Sequence, residues 1–491
     1  MNYRSVAELF DEVNQLRGTV AEESAARIAG WTAAIERQEF VPSAENLAHY
    51  LALRRRDVRP LQLELMVRGL SSLGRAESRV MPALDAVAGA LGVLAGRATS
   101  VAEPEATFFA GEERLAARTT ELLGVAAAHR PVRILVTVPS EASTNAGFMV
   151  RLAELGVEAV RINCAHDDQD AWARMIRGVD LAAEKTGRRM KVLMDLAGPK
   201  IRTGAIRKKT HPKRLSLGDL FAIARPGELE RVEKSLPGAE CTQGEAVAAA
   251  QVGERILLDD GVLTTVVKRV EAWGVVVEVT GCADAEGYKL RAEKGINFPD
   301  TDFSIPALTD KDREDLGFIA RHADGVEFSF VQREADVIDL QQALARERPL
   351  DWQKLGLVLK IETVRAVSNL PEIIVRAGGR QPTAIMIARG DLAVEIGFAR
   401  LAEMQEELLW LGEAAQVPVI WATQVLEDLV KTGMPSRGEM TDAAMSARAE
   451  CVMLNKGPFV FDAIEQLDGL LSRMHANMHK KAPQMRRLAS W

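Results

Sequence analysis

Through about residue 127 the apolar positions recur at three- and four-residue intervals, as in "AENLAHYLALRRRD" (44–57) and "VMPALDAVAGALGVLAG" (80–96). That spacing predicts amphipathic helices, each burying one face, and no convincing strand. From "PVRILVTV" (131–138) the pattern changes to short, wholly apolar runs separated by helical stretches. The later runs are "VEAVRIN", "MKVLMDL", "DGVEFSF", "GLVLKIE", "AIMIARGD", "VPVIWATQ" and "ECVMLN", which with the first make eight. A strand that is apolar along its whole length needs cover on both faces, and flanking helices give a parallel sheet that cover. Eight strand–helix units predict an α/β protein built on a closed (β/α)8 TIM barrel.

The third unit is interrupted. Between "VLMDLAGPKIRTG" (192–204) and a helix capped by Thr309 in "ALTDKDREDLGF" lie strand-like stretches such as "ERILLDDGVLTTVVKRV" and "VVVEVTG". They predict a small β domain set into the third strand-to-helix loop. The expected organisation is a helical N-terminal domain (1–127), a barrel (128–200 and 298–491) and the inserted β domain (201–297).

Composition narrows the class. The 491 residues are 47% hydrophobic and 27% charged, ordinary for a globular chain, and the net charge of −7 argues against a nucleic-acid or anionic-membrane partner. Cys164, Cys241, Cys282 and Cys451 are far apart, so neither a disulfide framework nor a zinc knuckle is expected. The N-terminus is helical rather than leader-like, and no run approaches the roughly 18 apolar residues of a membrane span. A cytoplasmic protein without membrane association is the expectation.

In such a barrel, polar residues at the C-terminal ends of the strands are the candidate active-site groups. Those positions are Arg161, Asn163, Asp195, Ser329, Lys360, Glu362, Asp391, Thr423, Asn455 and Lys456. Glu362 and Asp391 come from adjacent strands and suit a hard divalent ion held through oxygen, with water completing the shell as Mg²⁺ prefers. Lys360, two residues before Glu362, shares its side of the strand and sets a cation beside that ion. Arg161 offers a fork matched to phosphate oxygens. Together they predict a phosphoryl-transfer or enolate site, where preorganised cations meet developing negative charge. Taken singly each has a plainer use: a strand-end cation as a rim charge, Asp391 as a helix cap, His166 as a loop histidine. Convergence on one rim favours the functional reading.

From about residue 131 to 475 the chain resembles pyruvate kinase. "RINCAHDD" is similar to that family's RxNxSHG, "MDLAGPKIRTG" to its DTKGPEIRTG, "LLDDGVL" to its DDGL and "EKGINFPD" to its KKGVNLPG. "LKIET", "IARGDLAVEI", "VIWATQVLEDL" and "PSRGEMTDAAM" resemble its SKIEN, VARGDLGVE, ICATQMLESM and PTRAEVSDVAN, in family order. The resemblance implies that Arg161, Ser329 and Lys360 bind the phosphoryl group of phosphoenolpyruvate and that Lys360 also stabilises the enolate. It implies Mg²⁺ or Mn²⁺ on Glu362 and Asp391, with Gly390 and Asp391 offering backbone N–H groups to the substrate carboxylate. Thr423 would shape the face where the enolate is protonated. Asn163, His166, Arg202 and Lys294 would lie toward the nucleotide phosphates, Lys294 being carried in as the inserted domain closes like a lid and excludes water.

The departures are informative. Potassium-dependent members build their monovalent site from the Asn and Ser of RxNxSHG and the Asp and Thr of DTKGPE, but here the Ser is Ala165 and the Thr is Leu196. The family's Glu in GPE is Lys200, so two oxygen ligands are lost and an ammonium is gained. Lys200 near Asp195 is therefore expected to substitute for the monovalent cation, with no potassium requirement. TIGPAS is "TVPSEAS" (137–143), SGETAxG is "NKGP" (455–458), and the Arg after the family's SF(I/V) is Gln332, with Arg333 displaced by one. These changes touch the acceptor side, where Lys456 is either a replacement phosphate contact or a rim charge.

The chain ends soon after the eighth helix, so effector regulation through the family's C-terminal domain is not expected. The N-terminal helices would pack on the barrel or form an oligomer contact, and "LALRRRDVRP" reads as a partner surface or as a solvated face. The leading expectation is phosphoryl transfer from phosphoenolpyruvate to ADP, giving pyruvate and ATP, by a homo-oligomer. The alternatives are a phosphotransferase or lyase with another acceptor, and a catalytically inactive metabolite-binding regulator.

Overall fold

The computed structural model describes residues 4–97, 105–207, 214–480 and 482–483; the remaining positions, which the expected domain bounds include, lie outside the described residues. The N-terminal region forms helices α1 (Val6–Thr32), α2 (Val41–Leu53), α3 (Arg59–Val67), α4 (Val80–Leu94), α5 (Glu105–Phe108) and α6 (Ala110–Leu123). Ser5 and Glu8 close a capping box at the start of α1, which satisfies end-turn donors locally. Leu9, Val13 and Val20 of α1 join Leu47 of α2 and Leu84 and Leu91 of α4 in a core continuous with the barrel's outer layer.

These helices pack on the barrel. The buried Asn46 side chain donates to the Ala414 carbonyl at 2.8 Å, and Arg118 donates to Ser43 Oγ at 2.8 Å and the Gln416 carbonyl at 2.9 Å. The basic run is occupied within the chain: Arg54 lies 4.6 Å over the Trp410 ring, Arg56 pairs with Glu23, and Arg59 pairs with Asp57 at 2.7 Å.

Eight parallel strands close the barrel: β1 (Arg133–Thr137), β2 (Ala159–Asn163), β3 (Lys191–Asp195), β4 (Gly325–Phe328), β5 (Gly356–Ile361), β6 (Thr383–Ala388), β7 (Val419–Ala422) and β8 (Cys451–Leu454). Each pairs with its chain neighbours, and β1 closes on β8 through Arg133↔Cys451. One set of side chains, including Ile134, Val160, Val192 and Leu357, meets the helices. The alternate set, including Leu135, Leu193, Val358, Met386 and Ile420, forms a separate inner cluster that Leu122 and Leu123 of α6 join. Gly356 permits that closure, since a Cβ on it would stand 2.0 Å from Leu122 Cδ1.

The insertion is a seven-stranded sheet running from Thr203–Arg207 to Ile296–Asn297 around its own core of Phe221, Ile223, Val275, Val277 and Tyr288. It also holds a short helix, Gly244–Ala249, that the strand patterns did not suggest. Thr309 caps Asp310–His322 as expected, through a capping box with Asp312. The four cysteines are free, and among the described residues no helix is long and apolar enough to cross a membrane.

Candidate functional site

Register sets the site. Thr137 lies beside Arg161, and Asp195 beside both Asn163 and Glu327, so the ends of β1 to β4 bring their polar groups to one level. Arg161 donates through Nε to Glu327 Oε2 at 3.0 Å and through one terminal nitrogen to Thr137 Oγ1 at 3.1 Å; its other terminal nitrogen pairs with Asp195. Lys360 Nζ donates to Ser329 Oγ at 2.6 Å and Asp195 Oδ1 at 3.0 Å, and its charge is also paired with Glu362 Oε1 at 3.2 Å. Arg161, Asp195, Ser329, Lys360 and Glu362 are thus one buried network drawn from β2 to β5.

Electrostatics fixes the charge states. Burial alone would push the Lys360 ammonium down, yet Asp195 and Glu362 hold it above its ordinary value. Burial would likewise raise Asp195, but Arg161 and Lys360 keep it below the usual carboxylate range. Burial raises Glu362, helped by repulsion from Asp391. Glu327 is pushed up to about 7 by burial, which the Arg161 guanidinium only partly offsets.

Glu362 and Asp391 could together offer carboxylate oxygens to a hard divalent ion. Phe330 N–H donates to Glu362 Oε2 at 2.6 Å and orients it, while mutual repulsion between the two carboxylates is what a cation would relieve. Among the described residues no group of three or more His, Cys, Asp or Glu is arranged to hold a metal. Two carboxylates suit an ion that keeps several water or substrate oxygens, as Mg²⁺ does.

Asp391 lies inside the helix Arg389–Ile396, whose N-cap is Ala388, so it is not the cap residue its sequence context allows. The Gly390 N–H, expected to face a substrate carboxylate, donates to Thr423 Oγ1 at 2.8 Å. The Lys200 ammonium, expected near Asp195, pairs with Asp391 Oδ1 at 3.1 Å.

Backbone strain gathers at two strand ends. Phe330 (φ 56°) follows Ser329 at the end of β4, and Thr423 (φ 62°), Gln424 (φ 57°) and Leu426 (φ 49°) follow β7. Left-handed backbone in such residues persists where the surroundings hold it, and here they do. Arg389 donates to the carbonyls of Ala422 at 2.9 Å and Thr423 at 2.6 Å and pairs with Asp442. At the end of β3, Gly198 (φ 66°) approaches so closely that a Cβ would meet Phe330 Cδ2 at 2.8 Å and Ser329 Cβ at 2.9 Å.

The residues expected on the nucleotide side do not join the network. Asn163 Oδ1 accepts the Ala165 N–H at 2.9 Å in a local turn, and His166 and Lys456 are exposed. Arg202 donates to the Glu293 carbonyl at 2.9 Å, and Lys294 pairs with Asp259 at 2.8 Å, both inside the inserted domain. Arg333 pairs with Ser304. Between the inserted domain and the barrel lies a cavity of about 650 Å³ lined by Lys200, Asn297, Phe298, Phe330, Glu362 and Asp391, among others.

Sequence reasoning overlooked Glu327, Arg389 and Asp442. For Glu327 the signal was present: one acidic letter in the otherwise apolar "DGVEFSF". Arg389 and Asp442 stood in quoted motifs without a role.

Comparison with known proteins gives the family. The family model of the pyruvate kinase barrel domain matches residues 129–458. A pyruvate kinase of Geobacillus stearothermophilus is 32% identical over 324 residues, covering 64% of this chain and 51% of that protein. One from Corynebacterium efficiens is 32% identical over 329 residues, 66% of this chain and 65% of its own, and one from Mycobacterium intracellulare 30% over 356 residues, 71% of each. The matched stretch thus spans from about half to somewhat over two thirds of these relatives' own length.

Proposed function

The chain belongs to the pyruvate kinase family, and from that premise we propose that it transfers the phosphoryl group of phosphoenolpyruvate to ADP, with a divalent ion and without potassium. The observation that carries the reading is the buried network in which Arg161, Ser329 and Lys360 share Asp195 beside the carboxylates Glu362 and Asp391. Phosphoryl transfer asks little covalent chemistry of the protein and much positioning of charge.

Arg161 spends three of its five N–H groups on Glu327, Thr137 and Asp195, leaving one on each terminal nitrogen for phosphoryl oxygens. Lys360 is a fixed cation, not a base, and exchanges one of its three partners for the enolate oxygen as phosphate departs. Glu362 and Asp391 would hold Mg²⁺ or Mn²⁺, which when bound would supply electrophilic charge to the reaction. Thr423 Oγ1 accepts the Gly390 N–H and keeps its own proton for a water at the enolate face. Lys200 places an ammonium in the same charge cluster, on Asp391, which supports potassium-independent action. Lys294 reaches the nucleotide when the inserted domain closes.

A direct test is ³¹P NMR of phosphoenolpyruvate, ADP and Mg²⁺ with the protein. The ATP β- and γ-phosphate signals are expected to appear as that of phosphoenolpyruvate falls. Inorganic phosphate without ATP would contradict ADP as acceptor. A second reading, in which the same donor site serves another acceptor, is favoured by the separate engagement of Asn163, Arg202 and Lys294. A screen of nucleoside diphosphates and small acceptors separates the two.

A further inference from the structure

Glu327 enters the scheme above only as an acceptor for Arg161. Glu327 stands within β4 and is fully buried. Its Oε2 accepts the Arg161 Nε–H at 3.0 Å, while Oε1 is buried without a hydrogen-bond partner. An unpaired buried carboxylate oxygen is destabilising, and positions inside a barrel of this kind ordinarily take bulky apolar residues. The charged or titratable groups facing Glu327 are Arg161 from β2, Asp195 from β3, Lys360 from β5 and Cys451 from β8.

What Glu327 provides is a hold on the guanidinium. Asp195 cannot supply it alone, because its Oδ2 engages only one terminal nitrogen of the guanidinium and its Oδ1 accepts from Lys360 at 3.0 Å. Thr137 contributes one neutral contact at 3.1 Å. Without Glu327 the Nε–H would be a buried donor with no acceptor, and the planar group could turn about its remaining contacts.

We propose that Glu327 is a positioning residue for phosphoryl-group binding: it grips Arg161 Nε so that the free N–H on each terminal nitrogen is held ready for the phosphoryl oxygens. The proposal rests on the phosphoenolpyruvate reading above, and it makes reach, not charge, the property that matters. Glu327→Asp keeps the charge and shortens the arm; Glu327→Gln keeps the length and an acceptor oxygen but removes the charge.

The test is calorimetric titration of each variant with phosphoenolpyruvate in the presence of Mg²⁺, together with kcat and KM. Glu327→Asp is expected to weaken phosphoenolpyruvate binding and raise its KM by about tenfold, with kcat and the KM for ADP changed less than about threefold. Glu327→Gln is expected to stay within about threefold of the parent throughout. A Gln variant as impaired as the Asp variant, or an Asp variant that binds like the parent, overturns the proposal while leaving the phosphoenolpyruvate reading intact. A parent that binds no phosphoenolpyruvate overturns both.

Discussion

The two sides of the barrel mouth are built differently. On the donor side Arg161, Asp195, Ser329, Lys360 and Glu362 hold one another through short contacts between strand ends that the sheet register fixes. On the side proposed for the acceptor, Asn163 is held in a local turn, Arg202 and Lys294 are held within the inserted domain, and His166 and Lys456 are exposed. In the proposed reaction, charge that must already be in place when a bond breaks is set on strand ends, and charge that meets the second substrate is carried by loops and the inserted domain. The difference teaches that the two halves should fail differently when damaged.

The largest effect belongs to the donor side. Lys360→Met is expected to lower kcat by about a thousandfold or more while Mn²⁺ binding by electron paramagnetic resonance changes little, since a preorganised cation acts chiefly on the transition state. Residual turnover within tenfold of the parent would remove Lys360 from the chemistry. On the acceptor side, Lys294→Ala is expected to reduce kcat/KM for ADP by about tenfold and leave calorimetric binding of phosphoenolpyruvate unchanged. Equal losses for both substrates would erase the distinction between the halves.

A smaller effect is expected at Lys200, where Lys200→Glu places a carboxylate opposite Asp391. Activity should fall several-fold in potassium-free buffer and recover in part when potassium is added. Full activity without potassium would contradict the proposed role of Lys200. The smallest effect concerns stability. Burial holds the Glu327 carboxyl at about 7 in the folded protein against an ordinary value of 4.5. A raised folded value means that the folded state keeps its proton longer than the unfolded one, so this group makes stability fall as pH rises from 4.5 to about 7, with no further loss above. Glu327→Gln should flatten the melting temperature over that window, and an unchanged slope would assign the dependence elsewhere.

The barrel was legible because its eight strands are wholly apolar and their polar ends fall at one rim, which selected Arg161, Ser329, Lys360 and Glu362 without knowledge of any contact. The same rule hid Glu327, since it attends to strand ends and Glu327 lies inside the strand. It also gave no sign of the Lys200–Asp391 pair, whose partners lie 191 residues apart in the chain. The closure of the barrel by Leu122 and Leu123 depends on the close approach to Gly356, a three-dimensional fit with no periodic signature. Pattern reveals faces and ends; partners are chosen by competition among neighbours.

The most direct measurement is pyruvate formation by the purified protein from phosphoenolpyruvate, ADP and Mg²⁺, in potassium-free buffer and again with potassium, with Lys360→Met as the control for contaminating activity. Turnover that is equal in both buffers and lost in the control is the predicted result. No turnover in either buffer, or turnover that requires potassium, would contradict it.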